Sequence, residues 1–561
     1  MENKQKIKIY IGLLITIILI MGVSYAYFRI YKSQTNDNVI GTRTCLDTTL
    51  TENSSEIILT EAVPISDERG VTKDPFTFTL TNNCDEYVEF QIALFSNYRD
   101  STDTQYLKDD YVKINLSKSG TINSGSYILS SYNLNQIDSN RQGYLLKIEG
   151  LKANESKTFD LRLWLDSETT AEQGLNKTWK GKIIVTFTAA KEQPTWDEPG
   201  TGTLLAAIKR DNTVSEPLTT PGKVLSASNE AILASTDDDY GTSYYFRGAV
   251  TNNFVEYANM CWRIVRITGN GAIKLVLYNY NGLTDTNNVQ SSNTPCNVTE
   301  NNLAFARYEG TTYGSHYSIN YLDNAYAGLM YGTTNSKSYA ETHANIDPST
   351  LLVNINRWYN KILSQQENFN DIQLADTIWC NDKSIITDST YNPWNITLGT
   401  NYGYGNNMNY YGTVKRLLSK NNIGGDGTGP TLRCPNDNNG GKLSKFTVND
   451  TTFGNGALKN YAKIGLLTAD EVAFAGTAVA DTSLASTYYL NQNTGQRLWY
   501  LSTPALMKNN ILYAWAVSET VHMSTVYPTR NTAGVRPSIS LVPSIKISIG
   551  TGTATDPYKI S

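Results

Sequence analysis

The chain has 561 residues, 18% of them charged, and a net charge of −5, and its only basic cluster is at the amino terminus, so the electrostatic footprint of a nucleic-acid binder is missing. Its length allows three or four domains, or two large β-rich ones. Gly, Asn, Ser, Thr and 37 tyrosines fill positions that charged residues would otherwise take, which suits neutral external sheets with long loops; Tyr combines apolar area with a polar tip. The first element in chain order is the apolar run Ile9 to Phe28. About 20 helical residues reach roughly 30 Å, the depth of a bilayer core. Lys4, Lys6 and Lys8 outnumber Arg29 and Lys32, which keeps the amino terminus inside and the bulk of the chain outside. Ser24 and Ala26 are small residues spaced as a signal peptidase requires, so cleavage between Ala26 and Tyr27 competes with retention as a membrane anchor.

From Cys45 to Ala190 the pattern has period two. Phe76, Phe78 and Leu80 alternate with threonines, and Asn82 to Asp85 turns the chain toward Val88, Phe90, Ile92 and Leu94. The expectation is a half-buried antiparallel pair. Phe159, Leu161, Leu163 and Leu165, then Ile183, Val185 and Phe187, continue the alternation. Several such strands imply an all-β sandwich over residues 29–190.

The sequence Tyr25-Ala26-Tyr27-Phe28 closing the leader, followed by Phe76-Thr77-Phe78-Thr79-Leu80-Thr81-Asn82-Asn83, Leu161 to Leu165 and Trp179 to Ile183, resembles the TasA and camelysin group. The resemblance covers about the first 190 residues. It implies a jelly-roll-like sandwich, export through a dedicated signal peptidase, and a role in surface fibres of a biofilm matrix, built through an exposed segment corresponding to Tyr27 to Arg43. It also raises a metalloprotease reading that the residues do not support. Zinc proteases place two His one helical turn apart with a Glu between, whereas His316, His343 and His522 each stand alone and are expected on the surface. No catalytic or metal-ligating set is assigned.

Residues 191–203, with Pro194, Pro199, Gly200 and Gly202, read as a linker, and residues 204–561 as a mixed α+β domain with long loops. A short amphipathic turn is expected at Leu204 to Ile208. Cys261 to Ile267, Gly269-Asn270-Gly271 and Ile273 to Leu277 spell a hairpin. Arg263 and Arg266 interrupt its first strand on opposite faces, and the expectation is that their stems pack while their heads stay in water. Asp347-Pro348-Ser349 opens a helix, with Pro in the first turn and Leu351, Ile355, Trp358 and Ile362 on one face. Thr468-Ala469-Asp470-Glu471 is a capping box before a short helix ended by Gly476. Asp237-Asp238-Asp239 offers hard oxygens for a structural calcium but lacks the spaced ligands of a recognised loop, so a solvated turn is expected and no cofactor is assigned. The Asn-, Gly- and Tyr-rich stretch around Trp394, Tyr402, Tyr404, Tyr410 and Tyr411 is the candidate ligand-binding surface, because loops of that length are usually functional or disordered.

Trp379-Cys380-Asn381-Asp382-Lys383, Ile464 to Val472, Leu501-Ser502-Thr503-Pro504 and Gly534-Val535-Arg536-Pro537 resemble an uncharacterised bacterial surface module of the C-type-lectin-like and formylglycine-generating-enzyme-like fold, spanning about Gly241 to Ile560. The resemblance implies a compact scaffold with variable loops. It carries no oxidase chemistry over, because that chemistry needs a cysteine pair near the end and no Cys follows Cys434. The run from Trp379 to Asp382 only superficially resembles the calcium-dependent sugar site of true lectins, since a cysteine interrupts it.

Cys45, Cys84, Cys261, Cys296, Cys380 and Cys434 include no close metal-type pair, so disulfides in an oxidising compartment are expected. Of the 15 connectivities open to six cysteines, proximity along the chain favours Cys45 with Cys84, Cys261 with Cys296, and Cys380 with Cys434. Three functions compete. The first is a non-catalytic recognition or adhesion module that contacts a glycan or protein from the cell surface. The second is a secreted matrix or fibre protein that self-assembles. The third is a hydrolase, ranked last because no Gly-x-Ser-x-Gly elbow or metal motif is present.

Overall fold

The computed structural model describes residues 29–33, 47–52, 57–59, 62–96, 106–120, 126–132, 134–136, 142–190, 192–223, 230–279, 295–297, 304–307, 314–396, 403–420, 427–435, 437, 443–477, 479, 488–491, 498–518 and 523–561. The chain is predominantly β and divides into two compact units, Met1–Glu192 and Gln193–Ser561. Among the described residues no helix is long and apolar enough to cross a membrane. The run Ile9 to Phe28 and the cleavage residues Ser24, Ala26 and Tyr27 lie outside them.

The first unit contains β1 (Arg29–Ser33), β2 (Thr48–Glu52), β3 (Ile57–Leu59), β4 (Phe76–Asn82), β5 (Val88–Ser96), β6 (Val112–Lys118), β7 (Tyr127–Ile128), β8 (Leu134–Gln136), β9 (Gln142–Leu151), β10 (Ser156–Leu165) and β11 (Trp179–Ala189). One sheet runs β1-β11-β5-β9-β8, with β3 also on β11; the other runs β2-β4-β10-β6-β7. Period-two patterning builds the core between them, because each strand turns alternate side chains inward. Phe78, Leu80, Phe159 and Leu161 from one sheet meet Phe90, Ile92, Val185 and Phe187 from the other in a single buried cluster. On the outer face of β4 the threonines form a ladder with β10. Thr77 donates to Asp160 at 2.8 Å, Thr79 pairs with Thr158 at 2.9 Å and Thr81 with Ser156 at 2.8 Å.

Two expectations change here. Strands β4 and β5 do not pair, because each belongs to a different sheet. Asn82, fully buried, makes the corner between them: its Nδ2 donates to the carbonyls of Glu86 (2.8 Å) and Lys152 (2.8 Å), and its Oδ1 accepts from the Cys84 amide (3.1 Å). The outer face of β10 is also buried. A single helical turn, Asp67–Gly70, lies over it so closely that a Cβ on Gly70 would sit 2.1 Å from the Trp164 ring. Asp109, another buried polar residue, accepts from Ser96 (2.5 Å), Tyr144 (2.8 Å) and Trp179 Nε1 (2.9 Å). One carboxylate thus ties the neighbouring strands β5, β9 and β11.

In the second unit, β12 (Ala231–Asp238), β13 (Gly241–Gly248), β14 (Phe254–Tyr257), β15 (Met260–Ile267) and β16 (Ile273–Asn279) contribute to a nine-stranded sheet completed by Ile464–Gly465, Ser538–Leu541, Ile547–Ile549 and Tyr558–Ile560. The hairpin at Gly269 to Gly271 forms with Ile267 opposite Ile273, and Gly271 adopts a φ of 85° that glycine takes without strain. A six-stranded sheet combines Gly314–His316, Asn409–Tyr410, Trp499–Lys508, Ile511–Val517, Met523–Pro528 and Thr532–Gly534.

The helices of this unit include α1 (Leu204–Asp211), α2 (Thr350–Lys361), α3 (Gly412–Leu417) and α4 (Ala469–Ala475). Helix α2 is capped by Ser349, whose side chain accepts from the Leu352 amide, while Pro348 lies outside the helix and pairs in a short ladder with Met330. The expected placement of proline in the first turn is therefore corrected. Residues 193–203 do not hang free: Trp196 stacks on Tyr244 at 4.2 Å, and Lys209 of α1 donates to the Trp196 carbonyl at 2.8 Å.

Candidate functional site

The capping box predicted at Thr468 to Glu471 is present at the start of α4, and both of its reciprocal bonds form. Its glutamate does more than cap. Glu471 is buried and also takes Lys274 Nζ of β16 at 2.6 and 2.8 Å and Arg266 Nε of β15 at 2.9 Å. Arg266 reaches on to Asp238, at the end of β12, at 2.5 Å. Next along α4, Asp470 accepts two bonds from Arg416 of α3 at 2.7 and 2.8 Å, and Arg416 also donates to Asp382 at 2.6 Å. Asp239 is paired with Lys445 at 2.9 Å and accepts from the Cys434 amide at 2.7 Å. Five acids and four bases from seven separate segments therefore make one network, and a cleft opens among Asp238, Asp239, Tyr240, Asp382, Arg433 and Thr503.

The electrostatics follow from burial set against pairing. Burial would raise the Glu471 carboxyl, but Lys274 and Arg266 more than offset it and hold the pKa at about 2. Burial dominates at Asp238, with Asp239 beside it, and pushes its carboxyl up to about 6 against the pull of Arg266. Burial likewise brings Lys274 down to about 8 despite Glu471. Of these two acids, Asp238 is therefore the one that changes charge nearer neutrality. For the rest, the arrangement locks segments together: each carboxylate already has a cation in contact, so its lone pairs are committed.

The disulfide Cys380–Cys434 borders the cleft, and Cys261–Cys296 closes a second loop elsewhere in the unit. Cys84 is also disulfide-bonded, while Cys45 lies outside the described residues. Among the described residues no cysteine is free. The two bridges point to an oxidising, extracytoplasmic environment.

No family model and no curated protein matches this chain. Its own geometry is what bears on function. Asp238 and Asp239 do not form a solvated turn, since their oxygens are taken by Arg266, Lys445 and backbone amides. Among the described residues no group of three His, Cys, Asp or Glu is placed to hold a metal ion. Arg263 and Arg266 keep no head in water. Arg266 belongs to the network, and Arg263 is fully buried, bonded to Asn253 and the Val250 carbonyl at 2.6 Å each and 3.8 Å from the Phe254 ring. His343 is buried rather than exposed, with Nε2 3.0 Å from the Gly403 carbonyl; His316 lies at the Arg530 carbonyl, and His522 is outside the described residues.

The proposed aromatic binding surface divides. Tyr410 and Tyr411 are fully buried, with hydroxyls on Asn392 and Asn324 at 2.8 Å, and Trp394 packs partly buried beside Tyr410. Tyr404 is half-buried and Tyr402 lies outside the described residues. The network residues Lys274, Arg416 and Lys445 carried no sequence signal, because isolated charges far apart in the chain reveal their partners only in the fold.

Proposed function

We propose that the chain is a bacterial cell-surface protein in which residues 204–561 form a non-catalytic recognition or adhesion domain, displayed by the sandwich of residues 29–190. The observation that carries this reading is the buried ion network, which with Cys380–Cys434 fastens loop segments from across the second unit into one preorganised surface around a cleft. Preorganisation lowers the ordering cost of binding. The partner class is a glycan or a protein, and Ile9 to Phe28 tethers the domain when it is not cleaved. The two facing sheets of the first unit support its likeness to the TasA and camelysin group, and the mixed sheets and helices of the second support its likeness to the C-type-lectin-like scaffold. A glycan and protein array probed with the exported protein, with and without calcium, tests the reading: specific capture lost on disulfide reduction is expected, and no capture under any condition overturns it.

The alternative is a secreted matrix or fibre component assembling through the first unit. It is favoured by β1, an edge strand paired along Ile184 to Thr188 of β11, since a terminal edge strand can be exchanged with another copy. Electron microscopy of the protein lacking residues 1–26 decides this, with monomers alone ruling it out.

A further inference from the structure

Lys383 is fully buried, and among the described residues its amine makes no ion pair with an acidic side chain. Its Nζ donates to the Met330 carbonyl at 2.9 Å and to the side-chain oxygen of Asn345 at 2.8 Å, 38 residues away in sequence. Both reactants are held. The Lys383 amide donates to Ser444 Oγ at 2.7 Å, its carbonyl accepts from the Tyr339 hydroxyl at 2.6 Å, and Gly328 makes room for its stem, since a Cβ there would lie 2.8 Å from Cε. Asn345 sits in the left-handed region at a φ of 58°. The Phe446 ring, 5.3 Å from Nζ, screens the amine from water.

We infer that Lys383 and Asn345 form an intramolecular amide cross-link, a covalent modification of this domain. A nitrogen hydrogen-bonded to a carboxamide oxygen across a C=O of about 1.23 Å lies roughly 3–4 Å from the carbonyl carbon, overlapping the near-attack range of about 3–3.5 Å. The Nζ lone pair forms the bond to Cγ of Asn345, the Cγ–Nδ2 bond breaks, one proton passes from Nζ to Nδ2, and ammonia leaves. Atoms balance and no oxidant is needed. The reaction requires a neutral amine, and burial lowers the Lys383 pKa to about 7 against the opposing charge of Asp437. Asp437, itself buried and anchored by the Leu443 and Ser444 amides at 2.7 and 2.8 Å, is the acid whose field favours charge separation as the tetrahedral intermediate forms.

The test is mass spectrometry of the exported protein after full reduction and digestion at lysine. The expected result is a branched peptide joining the segments of residues 345 and 383, lighter by one ammonia than their sum, with no cleavage after Lys383. The variants Lys383→Arg and Asn345→Ala should both yield two linear peptides. Linear peptides containing unmodified Asn345 and a chain cleaved after Lys383 in the wild-type protein overturn the inference. That result comes from the wild-type protein, so it holds even where a variant fails to fold.

Discussion

Replacing Glu471 with Gln removes one negative charge from between Lys274 and Arg266 and leaves the cap acceptor in place. A carboxyl held at about 2 against an ordinary 4.5 corresponds to about 3 kcal/mol at neutral pH, and removing one partner from a buried ion pair costs about 3–5 kcal/mol. The folded-state pKa is depressed, so this stability is fully present above 4.5 and is lost as pH falls through about 2. Asp238 works in the opposite sense. Its pKa is raised from 3.8 to about 6, so its contribution is present below 3.8 and lost as pH rises through about 6. Below 3.8, of these two, only Glu471 still changes. Urea unfolding of the wild type and Glu471→Gln at pH 7, 3.5 and 2, followed by tryptophan emission, is the assay. Trp379 is the local reporter, because Lys274 Nζ lies 4.8 Å from its ring. The variant should lose about 3 kcal/mol at pH 7, and its stability should fall less steeply than the wild type's between pH 3.5 and 2, because the Glu471 contribution is already gone. A loss below about 1 kcal/mol at pH 7, or a wild-type slope between pH 3.5 and 2 in the variant, would falsify the assigned role of Glu471.

Three further perturbations are informative. Cys434→Ser opens a loop of 54 residues, worth about 4 kcal/mol in chain-entropy terms; calorimetry should show a lower melting transition that added reductant shifts much less than in the wild type. Asn82→Ala strips the corner carbonyls of Glu86 and Lys152 of their donor and should cost about 1–3 kcal/mol, read as a reduced urea midpoint of the sandwich; an unchanged midpoint refutes the corner role. Gly465→Ala places a methyl 2.6 Å from the Trp379 ring and should destabilise by about 1–3 kcal/mol through overpacking, with a shifted Trp379 emission; wild-type stability and spectrum argue against that close approach.

Local signals were the legible ones. The Gly269 to Gly271 turn, the capping box at Thr468 and the apolar face of α2 rest on interactions within a few residues, which sequence spacing encodes directly. Cys261–Cys296 and Cys380–Cys434, two of the three pairs favoured by proximity, are bridged. What escaped depends on distant partners. Arg266 and Glu471 are 205 residues apart, so neither could show that its charge would be matched in the interior: Arg266 in isolation reads as a strand residue with its head in water, and Glu471 as a helix cap and nothing more. Tyr410 and Tyr411 sit in a polar, Gly-rich stretch that looks like a surface loop, yet backbone pairing of Asn409–Tyr410 with Leu506 and Met507 draws them into the core. The corner at Asn82 misled for the same reason, since a turn between two alternating strands is identical in sequence whether the strands pair or part.

That corner also shapes how the first unit acquires its structure. Between β4 and β5, β9 and β10, and β10 and β11, strands adjacent in sequence belong to opposite sheets, and β4 finds its partner β10 only across 75 to 83 residues. Folds dominated by such distant pairings form in milliseconds to seconds rather than microseconds, because loop closure must precede the contacts that reward it. The nascent sandwich therefore has few short hairpins on which to nucleate, and its chain stays open until nearly the whole unit has been delivered.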